Sequence, residues 1–136
     1  MTLGTRSGIR KRETVLIADP EPGLRLLIHE AIESPLYRVV EAADGEEAWR
    51  LIRDSKPIVV LLDVDMPGRS GLNLLSAIRA DRELQGTQVI MLSASQKQSD
   101  IDAGLLAGAD FYMTKPLAAH DLVARVAEAI EHQATW

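Results

Sequence analysis

The chain has 136 residues, 46% apolar and 26% charged, proportions close to those of an ordinary globular domain and unlike those of disordered or coiled-coil chains. No apolar run approaches the ~18 residues that span a bilayer, the N-terminus lacks a secretory pattern, and the absence of cysteine excludes disulfides, thiolate metal sites and a cysteine nucleophile. The net charge of −5 is uneven: residues 1–13 hold Arg6, Arg10, Lys11 and Arg12 against Glu13, which leaves about −8 on the remainder and argues against phosphate-backbone binding by the folded body.

Residues 1–13 have no apolar period and no aromatic residue, so they read as a disordered basic leader. From Thr14 onward short β-rich runs alternate with helical stretches. Val15 to Ala18 is an apolar run ending at Asp19-Pro20. Leu24, Leu27, Ile28, Ala31 and Ile32 then fall on one helical face, Pro22 suits the first turn, and Ser34-Pro35 ends the helix. Tyr37 to Val40 reads as an edge strand, and Asp44-Gly45 turns into a helix carrying Ala48, Trp49 and Ile52 on its buried face. Ile58 to Leu62, the longest apolar run, has the look of a central parallel strand and ends at Asp63. Gly71 to Ala80 is a helix through Leu72, Leu75 and Ile78. Gln88 to Leu92 is a fourth strand followed by Ser93, residues 99–107 a weaker helix, Asp110 to Met113 a fifth strand, and Leu117 to His132 the last helix.

Five strands alternating with helices imply right-handed crossovers and a parallel sheet covered on both faces. For this length the doubly wound order 2-1-3-4-5 is expected. The expected organisation is one domain over residues 14–132 and a tail over residues 133–136. Because the last helix runs almost to Trp136, no output or DNA-binding domain is expected.

In parallel α/β sheets functional groups collect beyond the carboxyl ends of the strands. Here those ends carry Asp19, Asp63, Ser93 and, just past the fifth strand, Lys115. Any one of these has a plainer reading as a turn residue, helix cap or solvated charge. Together they make one machine: two carboxylates to hold Mg²⁺, one of them able to act as nucleophile, with a hydroxyl and an ammonium to neutralise a phosphoryl group.

The segments Val15-Leu16-Ile17-Ala18-Asp19, Asp63-Val64-Asp65-Met66-Pro67 with Gly71, Leu92-Ser93-Ala94, and Gly108-Ala109 followed by Tyr112 and Lys115-Pro116 resemble the receiver domains of response regulators. The resemblance covers residues 14 to about 132. It implies a flavodoxin-like fold and a two-component signalling role: no enzyme beyond self-catalysed phosphoryl transfer and autodephosphorylation, acting in the cytoplasm with no membrane partner. Asp63 is then the phosphoacceptor, supplied by a histidine kinase or histidine phosphotransfer protein. Asp19 and Asp63, with the backbone carbonyl of Asp65, are the implied Mg²⁺ ligands. Ser93 is the switch hydroxyl, Lys115 the phosphoryl-binding lysine, Tyr112 the aromatic switch, and the Lys115–Pro116 bond is implied to be cis. The implied readout face for a downstream protein is residues 98–132, which is also a candidate dimer interface.

The chain departs from the family pattern at Pro20, where a second acid is usual. Proline supplies neither a carboxylate nor an N–H. Mg²⁺ is therefore expected to bind weakly through Asp19 and Asp63, or with Glu21 or the Asp65 side chain as substitute. Alternatively the domain has lost phosphorylation and serves as a protein-docking module. Two remoter readings are an Asp-x-Asp phosphatase, on Asp63 and Asp65, and a flavin carrier of the same topology. The former motif belongs after a first strand, and the acidic Asp19-Pro20-Glu21-Pro22 suits no flavin phosphate. His29, His120 and His132 share no metal-binding spacing and read as surface residues; Trp49 reads as core.

Overall fold

The structure, a computed structural model, describes residues 13–134. The basic leader, apart from Glu13, and the last two residues of the expected tail lie outside the described residues. Glu13 opens the first strand, and Gln133 and Ala134 continue the last helix.

Strand β1 (Glu13–Ala18) leads to helix α1 (Pro22–Ile32), and β2 (Tyr37–Ala42) to α2 (Gly45–Ser55). Strand β3 (Val59–Asp63) leads to α3 (Gly71–Ala80) and a short 3-10 turn, Arg82–Leu84. Then come β4 (Gln88–Ser93), α4 (Gln98–Leu106), β5 (Phe111–Thr114) and α5 (Ala119–Ala134). The five strands are parallel and ordered β2-β1-β3-β4-β5, the expected topology.

Because successive side chains of a strand point to opposite faces, each central strand feeds two cores at once. Leu16, Val60, Leu62, Val89 and Met91 pack with Ile52 of α2 and with Leu74 and Ile78 of α3. Val15, Ile17, Leu61, Ile90 and Leu92 pack with Ile28 of α1 and with Leu122 and Val126 of α5. This two-sided burial is why β3 and β4 read as unbroken apolar runs.

Some expected helix faces are narrower than the pattern. Leu27 is 47% and Leu72 39% exposed. The buried stripe of α3 is Gly71, Leu74, Leu75 and Ile78, spaced i, i+3, i+4, i+7, and Leu72 falls outside it. Trp49 is half-buried at the rim of the core, with the guanidinium groups of Arg53 and Arg69 at 5.7 and 5.2 Å from its ring. His29 is not a free surface residue: its Nδ1 lies 2.6 Å from Glu41 Oε2.

Glycines join the loop after β3 to its neighbours. Gly45 N donates to Pro67 O at 3.0 Å, and Gly71 N donates to Val64 O at 2.9 Å. A Cβ at Gly71 would collide with the backbone carbonyl of Asp63. Gly71→Ala is therefore expected to lower stability by about 1–3 kcal/mol, measured as a shift of the urea midpoint with unchanged slope. An unchanged midpoint would show that the loop relaxes without cost.

Candidate functional site

The order of the sheet reverses at β1 and β3, and the crevice beyond their carboxyl ends is where open α/β sheets bind ligands. Asp19 follows β1 directly and Asp63 closes β3. Since Ala18 pairs with Leu62, the two aspartates stand level with each other. Ser93 closes β4 beside them, and Lys115 follows β5, with its N–H donating to Ser93 O at 2.8 Å.

Lys115 Nζ lies 2.9 Å from Asp19 Oδ2 and 3.5 Å from Asp63 Oδ2. The Asp19 side chain is fully buried, and its Oδ1 accepts from Glu21 N–H at 2.9 Å. Asp63 is 4% exposed, and its Oδ1 accepts from Asp65 N–H at 3.4 Å. The Ser93 hydroxyl oxygen accepts from Ser95 N–H at 3.0 Å. Lys115–Pro116 is a cis peptide.

The structure thus brings together Asp19, Asp63 and Lys115, with Ser93 beside them. Tyr112 stands apart. It is half-buried and packs against α4, where a Cβ on Gly104 would lie 3.0 Å from its ring. Glu21 is exposed and offers Asp19 its backbone N–H. Asp65 is exposed as well. Among the described residues, no three acidic or histidine side chains cluster closely enough to hold a metal ion. Two carboxylates and a backbone carbonyl nevertheless fit Mg²⁺, which usually keeps several waters and needs only one or two carboxylates.

Sequence reasoning missed Arg25 and Glu41. Arg25 Nη1 donates to Asp19 O at 2.8 Å, and Arg25 Nε donates to Glu41 Oε1 at 3.2 Å. The available signal was an acid interrupting the apolar pattern of β2 opposite a basic residue in the first half of α1.

Burial pushes the Asp63 carboxyl above the usual range, and the charge of Asp19 adds to this; Lys115 and the Asp65 N–H oppose it. For Lys115 burial works downward, but the hydrogen bond to Asp19 and the charges of Asp63 and Asp19 outweigh it, so its pKa is raised. A positive group is held ready opposite a carboxylate that resists ionisation.

Comparison with known proteins decides the family. The pattern described as the response regulator receiver domain matches residues 15–127. The chain belongs to this family. The receiver is 38% identical over 114 residues to the phosphate regulon transcriptional regulatory protein PhoB of Pseudomonas aeruginosa, covering 84% of this chain and 50% of that protein. It is 38% identical over 122 residues to the transcriptional regulatory protein CpxR of Escherichia coli, covering 90% of this chain and 50% of that one. The Francisella response regulator 1452 receiver domain superposes with a TM-score of 0.81 at 31% identity, over 92% of this chain and all of that one.

These relatives correct one expectation. The receiver spans about half the length of the curated relatives it matches, and another, MtrA of Mycolicibacterium smegmatis, is named a DNA-binding response regulator. The reading that no DNA-binding domain goes with this receiver therefore fails. The position of Trp136 is no ground for it, because a helix ending near the last residue says nothing of a longer protein.

The raised pKa of Asp63 has a consequence for stability. A carboxyl whose pKa is higher folded than unfolded binds more protons in the folded state, so its ionisation costs stability as pH rises. The cost begins near the unfolded value of about 3.9 and is complete above the raised folded value. Asp63→Asn is expected to raise the thermal midpoint at pH 7, with the gain disappearing below about pH 3.9. Unfolding scans across that range test this; a gain independent of pH would exclude ionisation as the cause.

Proposed function

We propose that this receiver accepts a phosphoryl group on Asp63 from the phosphohistidine of a histidine kinase or histidine phosphotransfer protein, and signals by the resulting change of charge. The observation that carries the reading is the Lys115 ammonium held between two buried carboxylates at the reversal point of the sheet. In the transfer an Asp63 carboxylate oxygen attacks phosphorus, the P–N bond to the imidazole breaks, and an acyl phosphate forms. Asp63 is a fit nucleophile because burial leaves its carboxylate poorly solvated. Lys115 meets the phosphoryl oxygens as their charge is transferred, and the Ser93 hydroxyl, at the end of the strand next to β3, would donate to them. Asp19 orients Lys115.

Asp19, Asp63 and the Asp65 carbonyl would hold Mg²⁺, which neutralises phosphoryl charge when bound. The receiver is on this reading no enzyme toward other substrates; its chemistry is transfer to itself and hydrolysis from itself. Phosphorylation adds about −1.5 to −2 charges beside Ser93, and Tyr112, packed on α4, is the aromatic group of the switch. The position of Asp63 after β3 and the receiver pattern favour this over an Asp-x-Asp phosphatase. The names of PhoB and CpxR as transcriptional regulators support a readout in transcription. The phosphodonors work in the cytoplasm, where the receiver would act; among the described residues no helix is long and apolar enough to cross a membrane.

Incubation with acetyl phosphate and Mg²⁺, read by intact mass, is expected to add one phosphoryl group to the wild type and none to Asp63→Ala. No gain, from acetyl phosphate or from a histidine kinase, would favour the docking module instead. Pro20→Asp is expected to tighten Mg²⁺ binding about tenfold, the equivalent of roughly 1.4 kcal/mol, in a calorimetric titration without phosphodonor. Unchanged affinity would show that the lost acid was not a ligand in this chain.

A further inference from the structure

The segment after β1 is poor in backbone donors. Pro20 and Pro22 have no N–H, and the N–H of Glu21 between them is committed to the Asp19 side chain. Helix α1 begins without a side-chain cap. The partner of the Asp19 carbonyl comes instead from a side chain on α1: Arg25 Nη1 donates to Asp19 O at 2.8 Å.

Arg25 is itself held. Its Nε donates to Glu41 Oε1 at 3.2 Å, and the other oxygen of Glu41 is 2.6 Å from His29 Nδ1. The next residue of β2, Ala42, accepts the N–H of Asp19 through its carbonyl at 3.1 Å. Two neighbouring residues of β2 therefore hold Asp19, one at its N–H and the other, through Arg25, at its carbonyl. The Arg25 side chain is 17% exposed and Asp19 is fully buried, so water competes little for the bond between them.

We propose that Arg25, oriented by Glu41, is a positioning residue for Asp19 and through it for Lys115; this rests on the reading of Asp63 as phosphoacceptor. The Asp19 carbonyl and the Glu21 N–H are joined only through Pro20, whose fixed φ leaves a single soft dihedral, its ψ, between them. Releasing the carbonyl therefore also moves the donor that fixes Asp19 Oδ1, and with it the carboxylate that holds Lys115 Nζ. The planar guanidinium donates in two set directions, which an ammonium does not.

The test uses the full chain without metal, reading the side-chain carboxyl ¹³C resonances of Asp19 and Asp63 by NMR, and separately the rate of phosphoryl uptake from acetyl phosphate with Mg²⁺. Arg25→Met is expected to shift both resonances and slow uptake about tenfold, the scale on which small displacements act. Arg25→Lys should fall between, and the exposed Arg50→Met should match the wild type. Glu41→Ala should act like Arg25→Met, and the double variant should lose little more, because the two form one unit. A lowered thermal midpoint with resonances unmoved and uptake within about twofold would make Arg25 merely structural and overturn the proposal. If Arg25→Met fails to fold, Arg25→Lys decides by the same readouts. If the wild type takes up no phosphoryl group, the phosphoacceptor reading fails, and the resonances alone decide whether Arg25 positions Asp19.

Discussion

Two aspartates, one fully buried and one nearly so, share a single ammonium at the carboxyl edge of the sheet. Carboxylates removed from water are costly unless paired and hydrogen-bonded, and here Lys115 and the N–H groups of Glu21 and Asp65 meet that need. The arrangement holds only if the ends of four strands stay in register. Ala18 must face Leu62, Asp63 must face Leu92, and β5 must deliver Lys115 next to Ser93. Slipping one strand by a residue would turn its side chains to the opposite face and scatter the charges. The two apolar cores, one on each face, fix that register, so the chemistry at the edge depends on packing well below it.

Pro20 alters the charge balance of this edge. With one acid fewer, the lysine offsets half the carboxylate charge of the Asp19 and Asp63 pair. The loop is instead organised by backbone and side-chain bonds that converge on Asp19, through Ala42, Glu21, Lys115 and Arg25. Every polar atom of that residue has a partner. The site is accordingly more self-contained than two carboxylates alone would suggest.

The loop after β3 is tied down from the other side. Gly45 at the start of α2 donates to Pro67, Arg69 lies over Trp49, and Gly71 leaves room for the Asp63 carbonyl. Trp49 thus meets that loop through Arg69 as well as packing on the core. An aromatic ring half-exposed between two arginines has an apolar and a cationic environment at once, which its place in the helical pattern did not distinguish from simple burial.

The fold and the principal residues were legible in the sequence because both follow from local rules. Alternating apolar runs and helical periods define a parallel sheet, and the strand ends are where Asp19, Asp63, Ser93 and Lys115 had to fall. Helix faces were legible only approximately: Leu27 and Leu72 fit the period but not the stripe that meets the sheet. What only the tertiary structure decided were contacts between residues on different elements. These include the preference of Lys115 for Asp19 over Asp63, Tyr112 lying on α4, and the grip of Arg25 and Glu41 on Asp19. A residue's type and period report its own element, whereas the partner of a charged side chain is set by how elements meet in space. At Asp63, local pattern fixed the position, and only the assembled neighbours set its charge environment.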